Sequence, residues 1–270
     1  MKKLLKNKKN LIFLGAGLVV LGIIAFMLFS RGSKKDDVIK PPTGRTKKPV
    51  NLIPQSDRPF VTLQPQVGRN KLEFVIHDLK KDAKEVEVTL EYDRNKGVLD
   101  AVLYTFAIDS TPFVEEVFLG SKSAGGSITY HDDVIGGTVY LDFMDNDYTL
   151  EVPWRYIDTE SSYELLSTSD ARFQLSLEDP IKKSKVVIME SPGLPENVKS
   201  EVLAGPYFIS TVGDLPDTTA EIKIRLLEEV ESAIIMGWDG AEWVDYDTTM
   251  DSKTAIAEGD LLSTYIVIKN

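Results

Sequence analysis

Cysteine is absent from the 270-residue sequence, and histidine occurs only at positions 77 and 131. Without disulfides, the fold must be stable by core packing alone. A histidine-rich zinc site would need both His77 and His131 together with carboxylates. His77 falls on the polar side of an alternating segment and His131 in a Tyr-His-Asp-Asp turn, so we expect both at the surface.

Motifs for nucleophilic and phosphate chemistry are also missing. The sequence has no Gly-x-Ser-x-Gly elbow, and its glycine-rich segment 123–127 (SAGGS) lacks the lysine of a phosphate-binding loop. The Asp-Ser-Thr at 109–111 and the Asp-Thr-Thr at 247–249 lack the glycine of an aspartic-protease loop. We therefore predict that the protein is not an enzyme. A β-sandwich hydrolase that uses Asp132 and Asp142 is a remaining alternative.

Basic residues are scarce after the first 48 positions. Twelve of the 31 Lys and Arg residues lie in residues 1–48, whereas 40 of the 42 Asp and Glu residues follow them, so residues 49–270 carry a net charge of about −21. An acidic surface of this kind repels nucleic acid and keeps an exposed domain soluble. We therefore expect no nucleic-acid partner.

One long apolar run stands near the N-terminus. Residues 11–29 (LIFLGAGLVVLGIIAFMLF) contain no charge and, at about 1.5 Å per residue, can cross a hydrocarbon core of about 30 Å as a helix. The run is longer than the apolar part of a signal peptide, and a poor cleavage site (SRG) follows it, which predicts a retained single-pass anchor in the lipid bilayer. The lysines of residues 1–10 oppose translocation, so this tail is predicted to be cytoplasmic and the domains extracytoplasmic.

Residues 30–56 have the composition of a linker. They contain four prolines and clustered lysines but no aromatic residue. Extended at about 3 Å per residue, the stretch up to Pro59 would hold the following domains up to about 90 Å from the bilayer. That distance suits crossing a layer of cell wall.

After residue 56, apolar and polar residues alternate with a period of two. Val86, Val88, Leu90 and Tyr92 alternate with polar residues, as expected of a strand with one wet face. Residues 139–143 and 148–154 alternate on either side of an Asp-Asn-Asp turn, which predicts a β-hairpin. Residues 57–158 are therefore predicted as a first β-sandwich domain.

A polar break at 158–162 (DTESS) precedes a second set of alternating segments, at 172–178 and 221–226, and the final run 265–268 is apolar on both sides. Residues 226–235 are ambiguous because their spacing would also fit a helix. Residues 159–270 are predicted as a second domain. The predicted fold class is all-β, with two tandem β-sandwich domains preceded by one N-terminal transmembrane α-helix and a Pro-rich linker.

Several C-terminal features follow in a specific order: residues 206–210 (PYFIS), a strand at 221–226, residues 236–243 (MGWDGAEW) and residues 262–267 (LSTYIV). This order resembles the ZU5-like β-sandwich modules of bacterial surface proteins, in which a Tyr-x-Ile segment, a Trp-Asp-Gly hairpin with a second Trp and a Ser-x-Tyr strand follow one another. The resemblance covers about residues 180–268 and implies a structural or interaction domain. Residues 57–158 resemble fibronectin III and immunoglobulin-like sandwiches in strand count and alternation, which implies a fold and no function.

Oxygen-rich turns are the candidate metal sites. Asp142, Asp145, Asn146 and Asp147 crowd one hairpin, and further aspartates lie at 132–133 and 245–251. Such turns bind calcium in extracellular modules, but aspartate and asparagine are also ordinary turn residues, and none of these groups fits an EF-hand. The turn role is the preferred interpretation, so no cofactor is predicted, and calcium with Asp142, Asp145 and Asp147 as ligands is the alternative.

Two functional classes follow from these observations. The first is a membrane-anchored, surface-displayed structural, adhesion or envelope-assembly protein that binds an unidentified protein or envelope polymer through its hairpin loops. The alternative is a carbohydrate- or polymer-binding module that stacks its ligand on exposed aromatic side chains, with or without calcium. The candidates for that stacking surface are Trp154, Tyr156, Trp243 and Tyr246.

Overall fold

The computed structural model describes residues 49–270, with the exception of residues 69, 96, 147 and 159–161. The predicted tail, the predicted anchor at residues 11–29 and the linker up to residue 48 lie outside the described residues. Within the described ranges, no helix has the length and apolar character needed to cross a bilayer. Lys48–Asn270 forms one compact unit.

The described residues form strands joined by loops, with one turn of 3-10 helix at Gln55–Asp57, and the all-β class is confirmed. The ambiguous residues 226–235 form bends that lead into a strand. In chain order the strands are β1 (Phe60–Pro65), β2 (Lys71–Asp78), β3 (Glu85–Arg94), β4 (Val98–Ala107), β5 (Phe113–Phe118), β6 (Gly120–Lys122), β7 (Ile128–Tyr130), β8 (Val134–Phe143), β9 (Tyr148–Asp158), β10 (Ser162–Ser167), β11 (Phe173–Lys182), β12 (Lys185–Glu190), β13 (Val202–Thr211), β14 (Thr219–Arg225), β15 (Ala233–Trp238), β16 (Trp243–Asp245), β17 (Thr249–Asp251), β18 (Thr254–Asp260) and β19 (Thr264–Lys269).

The largest sheet has nine strands in the order β16-β15-β19-β13-β12-β9-β8-β3-β4. A five-stranded sheet has the order β10-β11-β14-β18-β17, a three-stranded sheet the order β1-β2-β5, and β6 pairs with β7. The nine-stranded sheet crosses the polar break at 158–162, because β9 pairs with β12 from Trp154↔Met189 to Asp158↔Lys185. The predicted blocks 57–158 and 159–270 therefore share one sheet.

The alternation of apolar and polar residues in the sequence matches the alternation of buried and more exposed residues along the strands. In β3, Val86, Val88, Leu90 and Tyr92 are buried, and the residues between them lie on the opposite face. β8 and β9 form the predicted hairpin, with pairing that ends at Phe143↔Tyr148. The hairpin predicted around the Asp-Gly turn at 239–240 is also present, because β15 pairs with β16.

The middle strands of the nine-stranded sheet are buried on both faces. In β12, Val187 and Met189 pack into a core formed mainly by residues 60–156, whereas Val186 and Ile188 pack into a second core formed by residues 157–267. β1 lies across β12 and β13 on the side of the first core, where Ser210 Oγ donates to Leu63 O at 2.8 Å. Two cores thus lie on opposite sides of one shared sheet.

The end of the predicted linker belongs to the fold. Val50 forms a parallel bridge with Thr149 of β9. The Asn51 side chain binds the backbone of Glu151 twice, donating from Nδ2 to the carbonyl oxygen at 3.0 Å and accepting from the amide at 3.1 Å. Arg58 Nη2 donates to Asn51 O at 2.7 Å. The chain is therefore fastened to β9 from residue 50 onward, before the predicted domain start at 57.

Candidate functional site

Two residues of the predicted calcium turn bind the loop between β2 and β3. Asp145 Oδ2 accepts a hydrogen bond from Lys84 N at 3.0 Å, and Asn146 Nδ2 donates to Asp82 O at 2.6 Å. Asp142 lies in β8 opposite Glu87, and Asp147 lies outside the described residues. Across the described part of the chain, no group of three or more His, Cys, Asp or Glu side chains gathers at a point where it could hold one metal ion. Calcium binding stays an alternative to the turn role.

The expected exposure of three of the four aromatic candidates is wrong. Trp154 is only 2% exposed, and it packs with the buried Tyr156 on the first core, with ring centroids 6.3 Å apart. Tyr246 is buried because its ring fills the space above Gly237 and Gly259, and its hydroxyl donates to Asp260 O at 2.7 Å. Buried rings cannot stack a ligand.

Trp243 is the partly exposed member of the set. Its ring meets that of Trp238 edge to face, with centroids 5.4 Å apart, and its Nε1 donates to Glu196 O at 2.9 Å. The indole thereby ties the β15–β16 hairpin to the loop that precedes β13. A stacking role remains a prediction for Trp243 alone.

Both histidines are half-buried and take part in the fold. His77 Nε2 lies 2.8 Å from Thr62 Oγ1, and burial lowers the pKa of the imidazole. His131 Nδ1 lies 3.0 Å from the Tyr92 hydroxyl and 3.2 Å from Asp100 Oδ2. These contacts tie strand residues to one another, whereas both side chains were expected at the surface.

The two acids considered for hydrolysis lie near opposite ends of β8. Asp132 precedes the strand, and Asp142 is its ninth residue. At about 3.3 Å per residue, the eight steps from Val134 to Asp142 span about 26 Å. Paired glycosidase carboxyl groups lie about 5 to 9.5 Å apart. Asp132 and Asp142 therefore cannot act as a pair.

A polar cleft of about 1070 Å³ lies between the β1–β2 hairpin and the ends of β8, β9 and β12. Asn70 is its central side chain, with Nδ2 donating to His131 O at 2.6 Å while Oδ1 accepts from Tyr156 at 3.0 Å and Lys185 at 3.1 Å. Burial lowers the pKa of Lys185, although nearby Asp158 opposes the shift. The wall carries both signs of charge, and its buried polar groups bind one another, so the cleft favours no particular ligand.

The most distinctive surface is strand β4, which forms one edge of the nine-stranded sheet. Its inner face is fixed by aromatic packing, since Phe106 lies 5.5 Å from Tyr104 and 6.1 Å from Phe74 between ring centroids. The Tyr104 hydroxyl also accepts from Phe118 N at 2.9 Å. The strand pairs with β3 over ten residues without a bulge.

The pairing with β3 determines which backbone groups of β4 stay at the edge. Just beyond the strand, Ile108 N donates to Lys84 O at 2.8 Å, continuing the pairing that includes Glu85↔Ala107. In an antiparallel ladder, hydrogen-bonded pairs alternate with non-hydrogen-bonded pairs. The even-numbered residues of β4 therefore bond to β3, and the odd-numbered residues direct their N–H and C=O groups outward. These residues are Leu99, Ala101, Leu103, Thr105 and Ala107.

This open edge of β4 has little of the usual protection against strand pairing, because its one charged residue, Asp100, lies on the opposite face from Leu99 and Leu103 and pairs with Arg94 and His131. Leu99 and Leu103 are 64% and 60% exposed, and β4 contains no proline or lysine. Among the described strands none pairs with this edge, and the other sheet edges are six residues long or shorter. A long, apolar edge without a bulge is a template for an additional strand.

A row of carboxylates lies beside the open edge. The outward residues of β3 include Glu85, Glu87, Glu91 and Asp93, which face Ala107, Thr105, Ala101 and Leu99 of β4. Burial raises the pKa of the neighbouring Tyr140, and the carboxylates of Glu151 and Glu91 raise it further. The same face of β3, β4 and β8 bears no Lys or Arg in the described residues. The edge is therefore apolar with an acidic border.

Comparisons with protein families, with curated proteins and with solved structures found no match to this chain. The resemblance to ZU5-like modules thus stays a prediction. It rests on the order of short segments, of which the paired Trp238 and Trp243 are the most specific.

Proposed function

We propose that the chain is a non-catalytic, membrane-anchored assembly or adhesion protein, displayed outside the cell, that binds another protein by strand addition at β4. The open edge of β4 is the observation that carries the proposal. Five outward N–H and five outward C=O groups offer main-chain hydrogen bonds, and the exposed leucines offer apolar contact. The predicted anchor at residues 11–29 and the linker that follows it would tether this edge to the membrane.

In this proposal the nine-stranded sheet is the support that presents β4 to its partner. The shared nine-stranded sheet, buried on both faces in its middle, would hold β4 in a fixed orientation without disulfides. In this proposal the two cores act as two sandwich-like halves joined through one sheet. Three of the four aromatic residues that would form the stacking surface of a polymer-binding module are buried in the cores. We therefore do not propose that alternative further.

Cross-linking in cells tests strand addition. Because the chain has no cysteine, Leu103→Cys can carry a benzophenone maleimide as the only modified residue. We expect a light-dependent adduct with another protein from Leu103→Cys and none from Leu227→Cys, which is 65% exposed in a loop. Thr105→Pro should abolish the adduct, since proline removes an outward N–H, whereas Thr105→Val should preserve it.

An adduct of equal yield in the Thr105→Pro and Thr105→Val variants would show that the edge backbone is not used. The absence of any adduct at Leu103 would also contradict the proposed function.

Labelling of single cysteines tests the orientation in the membrane. A membrane-impermeant maleimide should label Leu227→Cys on intact cells, because the described domains are proposed to lie outside. The same reagent should label Lys3→Cys only after permeabilisation, because the lysine-rich tail is proposed to remain in the cytoplasm. The reverse pattern, read from the mass shift of the labelled chain, would refute this orientation.

A further inference from the structure

We infer that the strand accepted by β4 is a basic, extended segment of a different protein, with Lys or Arg opposite Ala101 and Ala107 and apolar residues opposite Leu99 and Leu103. This inference rests on the proposed strand addition and adds the chemistry of the partner. It follows from the order of side chains on the outer face of β3 and β4.

The alanines leave two gaps in the apolar row. Ala101 pairs with Glu91 of β3, and Ala107 pairs with Glu85. A strand added to β4 would lie about 4.8 Å from it and about 9.6 Å from β3. A lysine or arginine in that strand, opposite an alanine, would reach over the small side chain toward the carboxylate behind it. Among the described residues, neither Glu85 nor Glu91 has an ion-pair partner.

The leucines define the apolar positions. Leu103 is paired with Thr89, and Leu99 with Asp93. Each exposed leucine would cover an apolar side chain of the added strand, which removes apolar surface from water on both partners. In a partner strand antiparallel to β4, the first basic residue lies opposite Ala107, and an apolar residue four positions later lies opposite Leu103. A second basic residue follows two positions later, opposite Ala101. A final apolar residue follows after two more positions, opposite Leu99.

A second copy of the chain fits this surface poorly. β4 contains no Lys or Arg, so a β4–β4 pair would leave Glu85 and Glu91 unneutralised. It would also place two carboxylate rows on the same face of the joined sheet, and like charges that face each other oppose association. Charge complementarity therefore favours a partner of opposite charge.

One segment of this chain has a related spacing. Lys34 and Lys40 stand six positions apart with Val38 between them. Asp36 would fall opposite Thr105 and beside the carboxylate of Glu87, and Pro41 and Pro42 follow without N–H groups to donate. This segment is therefore the weaker candidate, and the experiment includes it.

The test uses the full chain in a non-ionic detergent and two fluorescent nine-residue peptides. The basic peptide places Lys opposite Ala101 and Ala107 and Leu opposite Leu99 and Leu103, and the acidic peptide replaces both Lys by Glu. At low ionic strength we expect the basic peptide to bind at least about tenfold more tightly in fluorescence anisotropy, since two attractive charge contacts replace two repulsive ones.

Matched variants identify the contacts. The double variant Glu85→Gln with Glu91→Gln should weaken binding of the basic peptide about tenfold, because both counter-charges are lost. The double variant Glu115→Gln with Glu258→Gln removes two strand carboxylates elsewhere and should change binding less than about twofold. Thr105→Pro should abolish binding of both peptides.

The outcomes separate the two proposals. Equal binding of the basic and acidic peptides that is lost in Thr105→Pro would overturn the basic partner and leave strand addition standing. No peptide binding, with a retained adduct at Leu103, would do the same. Binding that appears only after Lys34→Ser and Lys40→Ser would assign the edge to this chain's own segment and overturn the external partner. Peptide binding unchanged by Thr105→Pro would overturn strand addition as well.

Discussion

Replacing Trp154 by alanine is expected to lower the free energy of unfolding by about 3 to 5 kcal/mol, the usual cost of deleting a large aromatic side chain from a core. Trp154 is among the largest fully buried side chains, and it lies in β9, which pairs with both β8 and β12. The cavity would therefore open where the two halves of the nine-stranded sheet meet. For a unit of this size the melting temperature should fall by roughly 10 to 15 °C.

Two control variants separate the loss of core packing at Trp154 from the loss of its indole N–H and from the loss of a tryptophan as such. Trp154 Nε1 is buried without a hydrogen-bond partner among the described residues, so Trp154→Phe removes an unsatisfied donor and should cost less than half as much as alanine. Trp243→Ala, in a partly exposed hairpin, should cost about 1 kcal/mol or less. A Trp154→Ala chain with unchanged melting temperature and lost polymer binding would restore Trp154 as a ligand residue and contradict the burial reported above.

Proline is expected to have very different effects on stability at even-numbered and odd-numbered positions of β4. Val102 is an even-numbered residue whose N–H bonds to β3, so Val102→Pro should break the ladder and cost about 3 kcal/mol. Thr105 is an odd-numbered residue whose N–H points to the open edge, so Thr105→Pro should cost only about 1 kcal/mol. Chemical denaturation of the full chain in detergent measures both changes.

The same pair of variants makes the cross-linking result interpretable. If the Thr105→Pro variant keeps most of its stability, loss of the adduct means that the edge can no longer pair with a partner strand. It does not mean that the chain is unfolded. A larger loss of stability at Thr105 than at Val102 would mean that the odd-numbered residues bond to β3. The assignment of the outward backbone groups would then be wrong.

Local patterns predicted most strands because the period of a strand is visible in neighbouring residues. The alternation of Val86, Val88, Leu90 and Tyr92 identified β3, and the Asp-Asn-Asp turn identified the β8–β9 hairpin. Alternation says that one face is buried, but not which element covers it. Trp154 was expected at the surface, yet the alternation that identified β9 places it on the same face as Leu150 and Val152, so its burial could have been predicted from the sequence.

The shared sheet depends on pairing between distant segments, which no local pattern encodes. A signal was nevertheless present in β12, where four consecutive apolar residues, 186–189, indicate a strand buried on both faces. β4 shows a similar double signal, since apart from Asp100 and Thr105 its odd-numbered and even-numbered residues are apolar or aromatic. The sequence could not show that β12 lies in the middle of a sheet whereas β4 lies at its edge.

The fastening of residues 50 and 51 to β9 has a mechanical consequence. In the proposed function the chain before residue 49 leads to the membrane. Because Val50 lies parallel to Thr149, a pull on the chain along the β9 axis would load the bridge and the Asn51 contacts together in shear, instead of opening them one at a time. β9 would pass the load sideways through β8 and β3 to β4. A partner bound at that edge and a bilayer at the other end of the chain would then be the two ends of one load-bearing path.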